Sequence, residues 1–220
     1  MVSWRCTGPW RWRLGLGWCS GWARLRPLTP LELAGREIYM REGCYACHSQ
    51  MVRSLADEID RYGPYSLASE SAYDHPMLWG SKRTGPDLAR LGEKYSDAWQ
   101  VAHLTDPRAV VPASIMPAYP WLMQPLDTSG LSGALATLAR LGVPYDAAMI
   151  QGAEADALAQ SRPDSAAAEA FRDRHGDRPA LRAFDGDPSR LTEMDAVVAY
   201  LQSLGTQTAA AHLAQEGTAP

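Results

Sequence analysis

The chain has 220 residues, a net charge of −4 and an isoelectric point near 5.7. That length suffices for one domain with a real core, or a small domain plus an elaboration. The acidic balance excludes a nucleic-acid binder working through a basic stripe.

Tryptophan and arginine are concentrated at the start, so residues 1–27 form an atypical N-terminal segment. Its longest uncharged run, Leu14 to Ala23, has ten residues. A membrane-spanning helix needs roughly 20. Gly and Trp dilute the apolar stretch and no small-residue cleavage site follows, so it is also a poor signal peptide. An interfacial anchor, with Trp at headgroup depth and Arg on lipid phosphate, and an unstructured start both remain open.

Ordered structure is expected from Pro27 onward. Thr29-Pro30-Leu31-Glu32 reads as a capping box with Pro at the first helical position, and Leu31, Ala34, Gly35, Ile38 and Tyr39 recur at helical spacing. A helix over 30–42 is therefore expected, with Gly43 turning the chain out of it. Residues 49–83 read as short helical pieces and loop, and Thr84-Gly85-Pro86-Asp87-Leu88 as a turn. A helix over 96–105 follows, with Ser96 as cap. Pro107, Pro112, Pro117, Pro120 and Pro125 then predict an extended stretch without helix.

Residues 128–190 look like an Ala-rich helical insertion. Leu131, Leu135, Leu138 and Leu141 form a stripe ended by Gly142, and further helices are expected over 146–160 and 164–174. The Ala, Asp and Arg content of 152–183 suggests loose, solvated packing. The last helix is capped by Thr192, carries Glu193 and Asp195 in its first turn, and buries Met194, Val197, Val198, Leu201 and Leu204 before Gly205. Residues 206–220 read as a frayed polar tail.

Four cysteines, Cys6, Cys19, Cys44 and Cys47, could form two disulfides. Two of them instead sit in Cys44-Tyr45-Ala46-Cys47-His48. This spacing lets two thiols add to the vinyl groups of one haem, with the adjacent His beneath the iron. Zinc would need two more ligands at matching spacing, and a thiol redox pair would want a βαβ setting; neither pattern is present. One covalent haem c is the expected cofactor.

His/Met coordination is one way haem iron is held. Met116 lies in the proline-stiffened stretch Ile115-Met116-Pro117-Ala118-Tyr119-Pro120, which could present a thioether rigidly. The alternative is a Met that fills a gap in the core. Met123, Met77, His75 and His103 are rival sixth ligands, and His103 reads otherwise as partner of a backbone group or a haem propionate. His175 and His212 look solvated. A metal-bound His usually donates its second ring N–H to a carbonyl, and the turn at Gly85-Pro86 offers that of Pro86. Trp79, Tyr95, Trp99, Tyr119 and Trp121 can wall off water. Lys82 and Arg83 could meet propionates or form a solvated basic pair.

A helix with Gly35 and Tyr39, then C-x-x-C-H, a Gly-Pro turn, a Met loop and a final helix with Tyr200 and Leu201 resembles a class I cytochrome c, an all-α fold with long loops around its haem. More closely, Glu42-Gly43-Cys44-Tyr45-Ala46-Cys47-His48-Ser49-Gln50-Met51, Tyr62-Gly63-Pro64-Tyr65-Ser66, Tyr73-Asp74-His75-Pro76, Trp79-Gly80-Ser81-Lys82-Arg83-Thr84-Gly85-Pro86-Asp87-Leu88 and Ser114-Ile115-Met116-Pro117-Ala118-Tyr119-Pro120-Trp121-Leu122 are similar to subunit II of cbb3-type cytochrome c oxidases, the mono-haem FixO or CcoO subunit. The match runs from about 28 to 145 and resumes over 191–205, within an expected cytochrome domain of 28–205.

The resemblance implies Cys44 and Cys47 as thioether sites and His48 and Met116 as axial ligands. It further implies a non-catalytic subunit that relays electrons to the haem-copper catalytic subunit, beside a dihaem cytochrome c subunit. The haem domain would lie on the periplasmic side of a bacterial inner membrane. The family's transmembrane anchor is not recognisable in 1–27. A soluble periplasmic shuttle cytochrome is the alternative, and a non-redox remnant a third possibility.

Overall fold

A computed structural model describes residues 25–206. Expectations for the N-terminal segment before Leu25, for Cys6, Cys19 and His212, and for most of the C-terminal tail lie outside the described residues. Among the described residues eight α-helices run in order: α1 (Pro30–Arg41), α2 (Ala56–Tyr62), α3 (Asp97–Thr105), α4 (Pro107–Val110), α5 (Leu131–Arg140), α6 (Ala147–Gln160), α7 (Ala167–His175) and α8 (Glu193–Ser203). Among the described residues there is no strand, only an isolated bridge between Pro125 and Thr192. The fold is all-α. No helix among the described residues is long and apolar enough to cross a membrane.

The scaffold is the crossing of α1 on α8. Both helices begin with the reciprocal cap that the sequence spells out. The Thr29 hydroxyl accepts from the Glu32 N–H while the Glu32 carboxylate accepts from the Thr29 N–H at 2.9 Å; Thr192 and Asp195 repeat the device on α8. Gly35 is the crossing point. A Cβ there would run into the carbonyl of Ala196 and stand 2.9 Å from Cβ of Tyr200, so only a missing side chain lets the helices approach. One turn on, Tyr39 and Tyr200 meet edge to face at 5.6 Å, a geometry worth about 1 kcal/mol beyond the area it buries. At the far end Arg41 donates to both carboxylate oxygens of Glu193, at 2.8 and 2.6 Å.

Two expectations fail around the prolines. Pro107 opens α4 at its first position, with Asp106 capping the Arg108 N–H at 3.1 Å, and Pro120 opens a 3₁₀ turn over Pro120–Met123. Proline lacks an N–H that the first helical turn does not use, so it starts helices as readily as it breaks them.

Helices α6 and α7, expected to be loose and solvated, instead carry buried side chains. Ala153, Asp156, Ala157, Gln160 and Phe171 are fully buried. Small residues let α6 and α7 pack closely, and the buried Asp156 accepts from Arg174 at 2.5 Å and pairs with the His175 ring at 2.9 Å. His175, expected in solvent, has a side chain only 3% exposed that packs on Phe171. Gln160 accepts from the Thr29 hydroxyl at 2.6 Å, tying the end of α6 to the start of α1. Of the leucine stripe, Leu131 and Leu135 are buried but Leu141, just past α5, is exposed.

Candidate functional site

The C-terminus of α1 delivers the C-x-x-C-H. Gly43 takes a left-handed conformation (φ 74°), a turn that disfavours a side chain. A 3₁₀ turn over Cys44–Ala46 follows, in which Cys47 and His48 both donate their backbone N–H to the carbonyl of Cys44, at 3.1 and 3.0 Å. The turn leaves Cys44 half-buried against the core and Cys47 exposed, both as free thiols. Burial pushes the Cys44 thiol up to about 11.

The Gly-Pro turn closes behind the histidine. His48 Nδ1 lies 2.9 Å from the carbonyl oxygen of Pro86, and the Gly85 N–H donates to the carbonyl of Cys47 at 2.9 Å. A Cβ on Gly85 would stand within 2.7 Å of Nδ1 and 2.8 Å of Nε2, so the backbone lies flat against the imidazole. Nδ1 thus carries the hydrogen and Nε2 is left as the free lone pair, the tautomer a metal ligand needs.

The turn is itself locked. Buried Asp87 accepts from the Ser49 hydroxyl at 2.6 Å and from the Met51 N–H at 2.9 Å, and the Leu88 N–H donates to Ser49 O at 2.8 Å. Arg83 donates to Ser49 Oγ (2.5 Å), to Met51 O (3.0 Å) and to Glu58 (2.8 Å). Its Nε and Nη2 are thereby committed to the loop, so Arg83 is not a solvated cation; Lys82, beside it, is exposed. Sequence reasoning missed Ser49 and Asp87. The signal was an Asp directly after Gly-Pro, a residue type that caps backbone N–H groups in turns.

The Met loop comes from the other side of the chain. The Tyr119 N–H donates to the carbonyl of Leu104 in α3 at 2.8 Å, and Trp121 Nε1 donates to Glu42 at 3.2 Å. Tyr119 and Trp121 meet edge to face at 5.3 Å. The Tyr119 hydroxyl is raised above its ordinary pKa by burial first, then by charge on Cys44 and Cys47. The loop over 114–121 therefore lies against the C-x-x-C-H turn. Met116 within it is half-buried and packs on the core, while its neighbour Ile115 is 76% exposed. Of the rivals, Met77 and His75 are exposed and Met123 sits in the 3₁₀ turn. Trp79, expected in the pocket wall, is largely exposed with its Nε1 donating to Ser71 at 2.9 Å.

No group of three or more His, Cys, Asp or Glu able to hold a metal ion is found among the described residues. An iron here would have to bring its own equatorial ligands, as a porphyrin does. Two free thiols on one turn, an oriented imidazole beside them and a Met loop against both fit that group.

Comparison with curated proteins finds no match. The family model described as cytochrome c oxidase, mono-haem subunit/FixO, matches residues 19–208, most of the chain. Given that span and a helical fold built around the cysteine turn, this chain belongs to the family of cytochrome c oxidase mono-haem (FixO) subunits.

Proposed function

We propose that the chain is an electron-relay subunit of a cbb3-type terminal oxidase, with one haem attached covalently through Cys44 and Cys47 and ligated by His48 and Met116. The observation that carries the reading is the imidazole of His48, pinned by Pro86 O at 2.9 Å on the turn that also presents both free thiols. A haem bound there supplies one-electron chemistry at its iron. The protein's part is to hold the ring still. Gly85 and Pro86 fix the proximal imidazole, the Asp87–Ser49–Arg83 network fixes the turn that carries them, and the proline-flanked loop presents the thioether of Met116. Held rigidly in this way, His48 and Met116 would keep the reorganisation on electron transfer small. No acid–base residue is required.

The partners under this reading are the haem-copper catalytic subunit and the dihaem cytochrome c subunit, on the periplasmic side of the inner membrane. Support comes from the surface. Tyr45, Leu55, Ile59, Tyr65, Met77 and Trp79 are large apolar side chains left exposed within one stretch of the chain, from the haem motif to the Gly-Pro turn. A freely diffusing shuttle has no use for so much exposed apolar surface. The test is co-purification of the tagged chain with the catalytic subunit. Ile59→Glu with Met77→Glu should cut recovery of the complex about tenfold, roughly 1.4 kcal/mol, with an unchanged haem spectrum. A wild-type chain that binds haem but shows no affinity for a catalytic subunit would favour the soluble shuttle.

A further inference from the structure

The stacked column on α3 ends in an unsatisfied nitrogen. Tyr95, Trp99 and His103 follow at helical spacing, with Tyr95 on Trp99 at 4.1 Å and Trp99 on His103 at 4.7 Å, the planes within 16° and 14° of parallel. The stack fixes the plane of the imidazole. Nδ1 of His103 is nevertheless buried with no hydrogen-bond partner. An unmet buried polar group costs about 1–3 kcal/mol.

The surroundings say what is missing. The next residue, Leu104, holds the Met loop, its carbonyl accepting from the Tyr119 N–H at 2.8 Å, and His48 is near enough to bear on the His103 ring. His103 thus sits on the helix that anchors the Met loop, one residue before the anchoring carbonyl. Burial first, and His48 second, keep its pKa below the ordinary histidine value, so the ring is neutral with one N–H to place. A propionate oxygen and a thioether sulfur are both acceptors, so Nδ1 must be the protonated nitrogen. Other buried unmet atoms are less informative: the Tyr39 hydroxyl, for instance, has the amide of Gln50 within reach.

We propose that His103 is a positioning residue of the haem pocket, donating its Nδ1–H to an acceptor on the ligated haem, either a propionate oxygen or the axial sulfur of Met116. This rests on the haem reading above. Losing the donor leaves more electron density on either acceptor, favours ferric iron and lowers the midpoint potential.

The test uses the mature holoprotein. His103→Phe keeps the stack on Trp99 and removes the donor; His103→Asn keeps a donor near the same place. At a fixed ambient potential the Phe variant should show a reduced-to-oxidised ratio about fivefold lower, the ratio equivalent to roughly 1 kcal/mol, and Asn should restore most of it. A shift of the near-infrared sulfur-to-iron charge-transfer band identifies the sulfur as acceptor; a shift of the propionate bending mode in resonance Raman identifies the propionate. The wild type should show a slowly exchanging Nδ1 proton by NMR, a readout that needs no variant. A Phe variant with wild-type potential, a loss equal in Phe and Asn at equal haem content, or a freely exchanging Nδ1 proton would each overturn the proposal. A chain with no haem at all would instead sink the reading it rests on.

Discussion

At the scale of single residues the site depends on a missing side chain. The backbone of Gly85 lies against the face of His48, and any Cβ would push the ring away from the Pro86 carbonyl. Overpacking of this kind typically costs 1–3 kcal/mol, but here the strain falls on a prospective ligand. Gly85→Ala should therefore reduce haem bound per chain more than it reduces folding, because α1 and α8 cross elsewhere. Haemochrome absorbance per mole of protein, beside a thermal melt by circular dichroism, measures both. Full haem content with an unchanged reduced spectrum would show that the contact is idle. These residues were readable in the sequence because their relations are local: two cysteines and a histidine on one turn, and a Gly-Pro whose carbonyl has an obvious destination. Arg83 was not. Its partner Glu58 lies 25 positions away, on a helix whose placement no pattern foretells. His103 could be noted as a candidate, but the absence of a partner is a property of the folded chain.

At the scale of elements, the loop behind the site is held by charge rather than by apolar packing. Glu58 in α2 accepts from the Arg53 N–H at 2.8 Å and from Arg83 at 2.8 Å. Its carboxyl is lowered to about 2, first by the Arg83 hydrogen bond. A depressed carboxylate contributes stability that is present above its unfolded value, about 4.3, and is lost as pH falls toward the folded value. The segment 49–62 should thus loosen between those two pH values. Hydrogen exchange of the Arg53 amide would report it, and Glu58→Gln should abolish that acid-dependent step. An identical acid profile in the variant would contradict the assignment. Elements also show where sequence patterns mislead. Ala-rich helices with scattered charges look solvated, yet α6 and α7 bury Asp156 among Arg174 and His175 because small side chains bring the backbones close. Pro107 and Pro120 read as helix breakers yet open a helix and a 3₁₀ turn, with a capping side chain, Asp106, only at Pro107.

At the scale of the molecule, the pieces divide the labour. The crossing of α1 and α8 is set by Gly35, and it fixes the helix end from which the cysteine turn departs. The end of α6 braces the start of α1 through Gln160 and Thr29. That architecture leaves the haem motif, the Gly-Pro turn and the Met loop converging from three parts of the chain, which is what one rigid prosthetic group asks of a small domain. The proposed function stands or falls with covalent attachment of one haem to Cys44 and Cys47. Intact-mass spectrometry of the denatured protein, matured where the attachment machinery operates, tests it most directly. A single added haem is expected, carried after proteolysis by the peptide containing Cys44 to His48 and lost when both cysteines are changed to serine. An unmodified polypeptide mass from such a preparation would contradict it.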